Sequence, residues 1–234
     1  MRDAVGETTT DGAESAVALD PIERRVLGVL IEKQLSTPAS YPLTLNALIA
    51  GCNQKSNRDP VLDLEPYEVQ EALERLRARG LVSQYFSAGG RAEKWRTLDR
   101  EHWGIGGPER AVLAELLLRG PQSMGELRAR ASRMVPIADL AALGEVLEAL
   151  ASHQPPLAVR LSPPGQRRGV RWAHALYPET ERAALRTEEG ARAAAAGGGG
   201  GGAGARSGVR EQLAALERRI ARIEQHLGLE PLEP

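Results

Sequence analysis

Apolar residues recur at helical spacing in three segments near the start of the chain. The first follows Asp20, where a proline at the first helical position and Glu23 three residues after the cap predict a capping box. The second helix follows Pro42, and the third runs from about Pro66 to Arg79. The predicted inward-facing residues are Ile22, Val26, Leu27, Leu30 and Ile31 in the first helix, Leu45, Leu48, Ile49 and Cys52 in the second, and Val69, Ala72, Leu73 and Leu76 in the third.

The sequences LVSQYF and EKWRTL, separated by SAGGRA, predict two strands joined by a glycine-containing loop. The same order of elements then returns. EVQEAL at 68–73 matches EVLEAL at 145–150 at an offset of 77, and Trp95 and Trp172 share this offset. We expect both tryptophans to lie in the core, where each fixes a hairpin on its helices.

The second copy contains an amphipathic helix closed by Gly120, a capping box at Ser123 and Glu126, and a third helix over Leu140 to Ser152. LAVRL and VRWAHAL then form a hairpin around SPPGQRRG. Three helices and a hairpin, twice, is the element order of the winged-helix variant of the helix-turn-helix. The sequence therefore predicts a mainly α protein with small β-hairpins, made of tandem winged-helix domains.

The C-terminal region changes composition and then regains a periodicity. From Glu188 the chain is mostly Ala, Gly and Arg, with six consecutive glycines at 197–202, which predicts a flexible linker. A short heptad seam follows Ser207, and such a helix is stable in water only when it is paired. We therefore expect a homodimer through a C-terminal coiled coil. The predicted oligomerisation residues are Val209, Leu213, Leu216, Ile220, Ile223 and Leu227.

These patterns divide the chain into five regions. The predicted boundaries are a disordered N-terminus at 1–18, a first winged-helix domain at 19–100, a second at 101–178, an Ala/Gly-rich linker at 179–207 and a coiled-coil helix at 208–228.

Composition narrows the class of protein. The net charge of −1 excludes a strongly basic nucleic-acid coat, although residues 100–176 are mildly basic, with ten basic and seven acidic side chains. A single cysteine, Cys52, excludes an intramolecular disulfide and indicates a reducing compartment. No apolar run is long enough to span a bilayer, and MRDAVGETTTDGAES lacks the apolar core of a signal peptide. We expect a cytoplasmic protein with no membrane association.

Nothing in the sequence points to catalysis, a metal or a cofactor. The four histidines are far apart and never at metal-ligand spacing with Cys52. Nucleophile-elbow, phosphate-loop and dinucleotide-binding motifs are missing from the sequence. Cys52 occupies an inward helical position, where we expect a small core residue. The prediction is a protein without enzymatic activity.

The positions of the basic residues favour contacts with nucleic-acid phosphates over sequence-specific contacts with base edges. The third helix of the first repeat exposes Glu68, Glu71 and Glu74 beside its arginines. The third helix of the second repeat, DLAALGEVLEALAS, has no Lys or Arg with which to contact base edges. Positive charge lies instead in the hairpins and in the loop Asn53 to Pro60, where it supplies affinity without sequence information. The candidate nucleic-acid-binding residues are Lys55, Asn57, Arg58, Arg75, Arg91, Lys94, Arg167 and Arg168.

The stretch YPLTLNALIAGCNQKSNRDPV followed by EVQEALERLRARGLV resembles the bacterial YceH family. The resemblance runs from about Leu19 to Leu176, and CNQKSNRDP is its most specific element. It implies a tandem winged-helix fold and a cytoplasmic bacterial protein, and it implies no established biochemical activity. The loop Asn53 to Pro60 is the only segment that it singles out, without a role.

Two functions remain open at this level. The first, which we favour from the sequence, is a dimeric binder of duplex DNA, such as a transcriptional regulator, that contacts phosphates through its hairpins and the loop. The alternative is a scaffold for protein–protein interaction that has lost its base-reading helix. The acidic third helices favour the scaffold, and the basic hairpins favour DNA binding.

Overall fold

A computed structural model of the protein describes residues 18–86, 93–163, 165–166 and 169–197. The first repeat consists of α1 (Pro21–Ser36), a 3-10 turn (Pro38–Ser40), β1 (Leu43–Thr44), α2 (Leu45–Cys52), α3 (Pro66–Ala78), β2 (Val82–Phe86) and β3 (Glu93–Thr97). A short helix, α4 (Asp99–Trp103), leads into the second repeat. The second repeat consists of α5 (Gly107–Arg119), β4 (Gln122–Ser123), α6 (Met124–Ala131), α7 (Leu140–Ser152), β5 (Ala158–Arg160) and β6 (Arg171–His174), and α8 (Glu179–Gly197) follows.

Capping side chains fix where several helices begin. The Asp20 side chain accepts from the backbone N–H groups of Ile22 and Glu23, and Glu23 accepts from the Asp20 backbone N–H. Ser123 and Glu126 make the corresponding reciprocal box at α6. Both capping boxes predicted from the sequence are confirmed, and each satisfies backbone donors that a helix N-terminus leaves unpaired.

Each repeat contains a three-stranded antiparallel sheet, with the strand orders β1-β3-β2 and β4-β6-β5. The predicted hairpins form two strands of each sheet, and the third strand is a two-residue segment that the sequence analysis did not predict. In the first sheet Leu43 lies opposite Trp95, and in the second Gln122 lies opposite Trp172. Both tryptophans are buried, as predicted. The fold is mainly helical with small antiparallel sheets, which is compatible with a winged-helix architecture.

Helices α1 and α5 bring the two repeats into one hydrophobic core. Every residue from Glu23 to Glu32 in α1 and from Arg110 to Leu118 in α5 is buried. Gly28 lies against Leu118, while Gln34 accepts a hydrogen bond from Arg110, so the two helices run antiparallel. Buried residues of both repeats belong to a single cluster. The repeats are therefore halves of one packed body.

Gly28 permits the close approach of these helices. A Cβ atom placed there would lie 3.0 Å from Cγ of Leu118 and 3.1 Å from Cβ of Leu117. We expect Gly28→Val to lower the free energy of unfolding by about 1–3 kcal/mol, because overpacking must separate the helices. Urea denaturation measures this loss. Gly125→Val is the matched control, since an added Cβ meets nothing within 4 Å. Equal stability of the two variants would contradict tight packing at Gly28.

The linker predicted over 179–207 is helical as far as the structure describes it, since α8 covers Glu179–Gly197. Flexibility was predicted from Glu188 onward, and this was wrong for residues 188–197, which are helical. Alanine, glutamate and arginine are strong helix formers, and Glu179 pairs with Arg182 at 3.2 Å and with Arg186 at 3.6 Å. The contacts divide the chain after Arg186, so the body ends there and a second unit begins at Thr187.

The start of the first repeat lies against the end of the second. The backbone N–H of Leu19 donates to the carbonyl of Leu176 at 2.9 Å, and Arg79 donates to the carbonyl of Ala18. Residues 1–17 of the predicted N-terminal tail lie outside the described residues, as does the predicted coiled-coil helix at 208–228 with all six oligomerisation residues. Dimerisation through that helix stays a prediction.

Candidate nucleic-acid interface

Arg58, a predicted phosphate contact, is buried, with 4 % of its surface exposed. Its Nη1 and Nη2 donate to the two carboxylate oxygens of Glu32 at 3.2 and 2.6 Å, and its Nε donates to the carbonyl of Gly51 at 3.0 Å. A charge is stable in an interior only when it is paired and hydrogen-bonded, as it is here. The prediction that Arg58 binds nucleic acid was therefore wrong; this arginine holds the loop against α1.

A second buried arginine completes this attachment. Arg25 of α1 donates from Nη1 to the carbonyl of Cys52 at 2.8 Å and from Nη2 to the carbonyl of Pro60 at 2.6 Å. Burial and the neighbouring Arg58 lower the pKa of Arg25. Cys52 itself is fully buried, and burial raises the pKa of its thiol to about 12, so it is a core residue as predicted.

The loop 53–60 also joins the two repeats. The backbone N–H of Asp59 donates to the carbonyl of Leu118 at 3.0 Å, and Arg133 donates to Oδ1 of Asn57 at 3.2 Å. Asn57 has a positive φ of 57°, a conformation that asparagine tolerates. Asn57 is therefore engaged by the second repeat through its side-chain oxygen. Burial raises the pKa of Glu115, and the nearby Arg133 opposes that shift.

Arg25, Glu32 and Arg133 are residues whose role the sequence analysis missed. Arg25 and Glu32 are seven residues apart, two helical turns, in an otherwise apolar part of α1. Opposite charges on one face of a buried helix are the signal that predicts internal pairing at this site. The long-range position of Arg133 carries no such signal.

Arg75 is half-exposed, but carboxylates surround its guanidinium. Nη2 lies 2.8 Å from Oδ2 of Asp20, Nε lies 3.4 Å from Oε1 of Glu23 and Nη1 lies 3.7 Å from Oε2 of Glu71. A phosphate would have to compete with three acidic groups for this charge. The charge of Arg75 thus links α3 to the start of α1, and its contact with nucleic acid stays a prediction.

The remaining candidates do not form a described cluster. Lys55 is exposed on the loop, and Lys94 is half-buried on β3, opposite Thr44 and Tyr85. Arg91, Arg167 and Arg168 lie outside the described residues. The hairpins do present Arg96, which donates to Oγ of Ser83, and Arg160, which donates to the carbonyl of Gln166.

The surface of α7 is acidic, and the surface of α3 carries paired acidic and basic side chains. On α3 the exposed side chains include Glu71 and Glu74, and Glu74 pairs with Arg77 at 3.4 Å. On α7 the exposed side chains include Glu145 and Glu148, and this helix contains no basic residue. Neither helix offers an unpaired arginine or lysine to base edges.

The described residues also bear on metal binding and on membrane association. Within them no group of three or more His, Cys, Asp or Glu side chains could hold a metal ion. Over the same part of the chain, no helix has both the length and the apolar character needed to cross a membrane.

Comparison with known proteins places the chain in a family. Residues 19–166 match the family model described as "Protein of unknown function, DUF480". A UPF0502 protein of Geobacter metallireducens is 51% identical over 177 residues, which are 74% of this chain and 80% of that protein. A UPF0502 protein of Azoarcus is 42% identical over 223 residues, covering 95% of this chain and 93% of that protein. The chain belongs to the DUF480 family, whose relatives here carry the name UPF0502 protein.

Proposed function

We propose that this protein is a non-enzymatic cytoplasmic adaptor, built from two winged-helix domains, that binds a partner protein through its third helices α3 and α7. The observation that carries the proposal is that neither helix presents an arginine or lysine without an acidic partner, and that the charged side chains of α7 are all acidic. In a DNA-reading winged helix the third helix enters the major groove and needs arginine, lysine, asparagine or glutamine at its surface. Glutamates in that position repel phosphates, and they suit a partner with a basic surface.

The winged-helix assignment rests on the repeated element order and on the two sheets. Each repeat has three helices, a short strand between its first two helices, and a terminal hairpin whose second strand is the central one. The resemblance to the YceH family points to the same architecture.

Each third helix also carries an exposed apolar side chain in its first turn. Tyr67 of α3 is 65 % exposed and Leu140 of α7 is 50 % exposed. Aromatic and aliphatic anchors ringed by charge are typical of protein interfaces. The alignment at an offset of 77 further equates Glu71 with Glu148, so both repeats present acid at equivalent positions. These features support protein binding.

Binding to the phosphates of duplex DNA is the second candidate. Exposed Arg96 and Arg160 on the hairpins favour it, together with the predicted hairpin contacts Arg91, Arg167 and Arg168. In this proposal the C-terminal coiled coil would pair two bodies on one duplex and raise their effective concentration there.

One pair of measurements separates the two candidates. With the full chain we expect no saturable binding of a labelled duplex at physiological salt by fluorescence anisotropy. A photocrosslinking amino acid at Tyr67 or Leu140 should capture a polypeptide in bacterial cells that make the protein, and the same amino acid at exposed Glu101 should not. Capture through Leu140 should weaken when Glu145 and Glu148 are changed to lysine, because the acidic surface would no longer attract a basic partner.

Two outcomes would contradict the adaptor proposal. Saturable, salt-sensitive duplex binding that Arg167→Ala with Arg168→Ala weakens on all sequences would select DNA binding over the adaptor. Crosslinking that is identical at Glu101 would remove the role of α3 and α7.

A further inference from the structure

A cavity of about 310 Å³ lies between the two repeats, on the side where α1, the loop after α2, the end of α5 and β6 meet. This volume is at the lower end of the range of small-molecule sites. Both repeats contribute to its wall. The polar and charged lining residues are Arg24, Arg25 and Asp59 from the first repeat and Arg119, His174 and Tyr177 from the second half of the body.

Arg119 supplies a positive charge that no described residue neutralises by direct contact. Its Nε is buried without a hydrogen-bond partner, and the side chain forms no ion pair within the described chain. Its position in the last turn of α5 suits the helix dipole, but that interaction leaves the guanidinium donors unused. The carboxylates of Glu115 and Glu126 act on it only at longer range.

Arg25 adds a fixed positive charge to the wall of the same cavity. The side chain is 2 % exposed, and its two Nη atoms are held by the carbonyls of Cys52 and Pro60. Its Nε is buried and has no hydrogen-bond partner.

The other lining groups set the charge of the cavity. Arg24 is already engaged: it pairs with Glu181 at 2.8 Å and lies over the ring of Tyr177 at 4.5 Å. His174 stacks on Tyr177 at 3.8 Å, and burial with the nearby Arg24 holds its pKa well below the usual range, so it is neutral. Asp59 is the one acidic side chain lining the cavity within the described chain, and it is exposed to solvent. Arg24, Arg25 and Arg119 therefore outnumber the carboxylates of Asp59 and Glu181, which leaves a net positive charge around the cavity.

We propose that this cavity binds a small organic anion through its phosphate or carboxylate group, with Arg119 as the main recognition residue and the buried positive charge of Arg25 beside it. A guanidinium fork matches both oxyanions and binds them through charge-assisted hydrogen bonds. Because residues of both repeats line the cavity, a bound anion would stabilise their junction. This site is separate from the exposed surfaces of α3 and α7, so the inference does not rest on the proposed function.

The test uses the full chain and two probes, potassium phosphate and potassium succinate, at ionic strength held constant with potassium chloride. We expect the thermal unfolding midpoint, Tm, to rise and saturate with at least one probe, because binding to the native state alone stabilises it. Arg119→Gln should weaken the apparent affinity for the probe by about tenfold or more. Arg119→Lys keeps the charge but lacks the guanidinium fork, so its affinity should lie between those of the unsubstituted protein and Arg119→Gln. Saturation by phosphate alone selects a phosphorylated ligand, and saturation by succinate alone selects a carboxylate.

Arg100→Gln is the matched control, because Arg100 is an exposed arginine outside the cavity. It should keep the wild-type response. A rise in Tm that does not saturate and is the same in Arg119→Gln is the general effect of kosmotropic anions and would overturn the proposal. So would displacement of the probe by a duplex oligonucleotide, which would assign the arginines to nucleic acid.

Discussion

Replacing Arg58 with alanine should lower the free energy of unfolding by about 3–5 kcal/mol, the cost of breaking a buried ion pair from one side. The substitution leaves the carboxylate of Glu32 buried without its two donors and removes the hydrogen bond to the carbonyl of Gly51. It also frees the loop that reaches Leu118 of the second repeat. Urea denaturation followed by circular dichroism measures the loss.

Lys55→Ala in the same loop is the control for Arg58→Ala. Lys55 is exposed, so its removal should change stability by no more than about 0.5 kcal/mol. If Arg58→Ala costs as little as Lys55→Ala, the buried pair does not hold the loop.

Asp99→Asn, at the other end of the shared core, should also lower the free energy of unfolding by about 3–5 kcal/mol. Asp99 is fully buried; Oδ2 accepts from Nε of Arg110 at 2.6 Å, and Oδ1 accepts from Nη2 of Arg110 and from Oγ1 of Thr97. An asparagine turns an N–H donor toward the guanidinium, so the buried charge of Arg110 loses its counter-charge. Arg110 also donates to Gln34 of α1, so the loss propagates to the junction of the repeats.

Glu101→Gln is the matched change for this second experiment, because Glu101 lies on the same short helix and is exposed. Its stability should stay within about 0.5 kcal/mol of the parent. A further variant tests the cause: Asp99→Ala combined with Arg110→Met should be less destabilised than Asp99→Ala alone, since no unpaired charge remains. A double variant at least as unstable as the single one would show that packing, and not charge, dominates here.

The sequence predicted those parts of the fold that depend on neighbours along the chain. Helix starts at Asp20 and Ser123 follow from side chains three residues apart, and the two hairpins follow from alternation and turn residues. Strands β1 and β4 were missed because each has two residues and exists only by pairing with a strand about 50 residues further on. A strand that short has no periodicity to detect.

The candidate site was predicted less well because the environment of an arginine is a long-range property. Arg58 stands in a polar loop, yet Glu32, which pairs with it, lies 26 residues earlier in an apolar helix. The sequence also does not show that α1 and α5 are buried on all sides, since that burial arises from the contact between repeats. α8 shows the converse error: low complexity was taken for flexibility, although its alanines and charged pairs favour a helix.

The hydrogen bond between Leu19 and Leu176 has a consequence for how the body is connected to everything else. The start of the first repeat and the end of the second therefore meet at one point, so the path of the chain through both repeats is nearly a closed ring. Such adjacent ends are the arrangement that tolerates circular permutation, in which the old termini are joined and new ones are opened at an exposed loop.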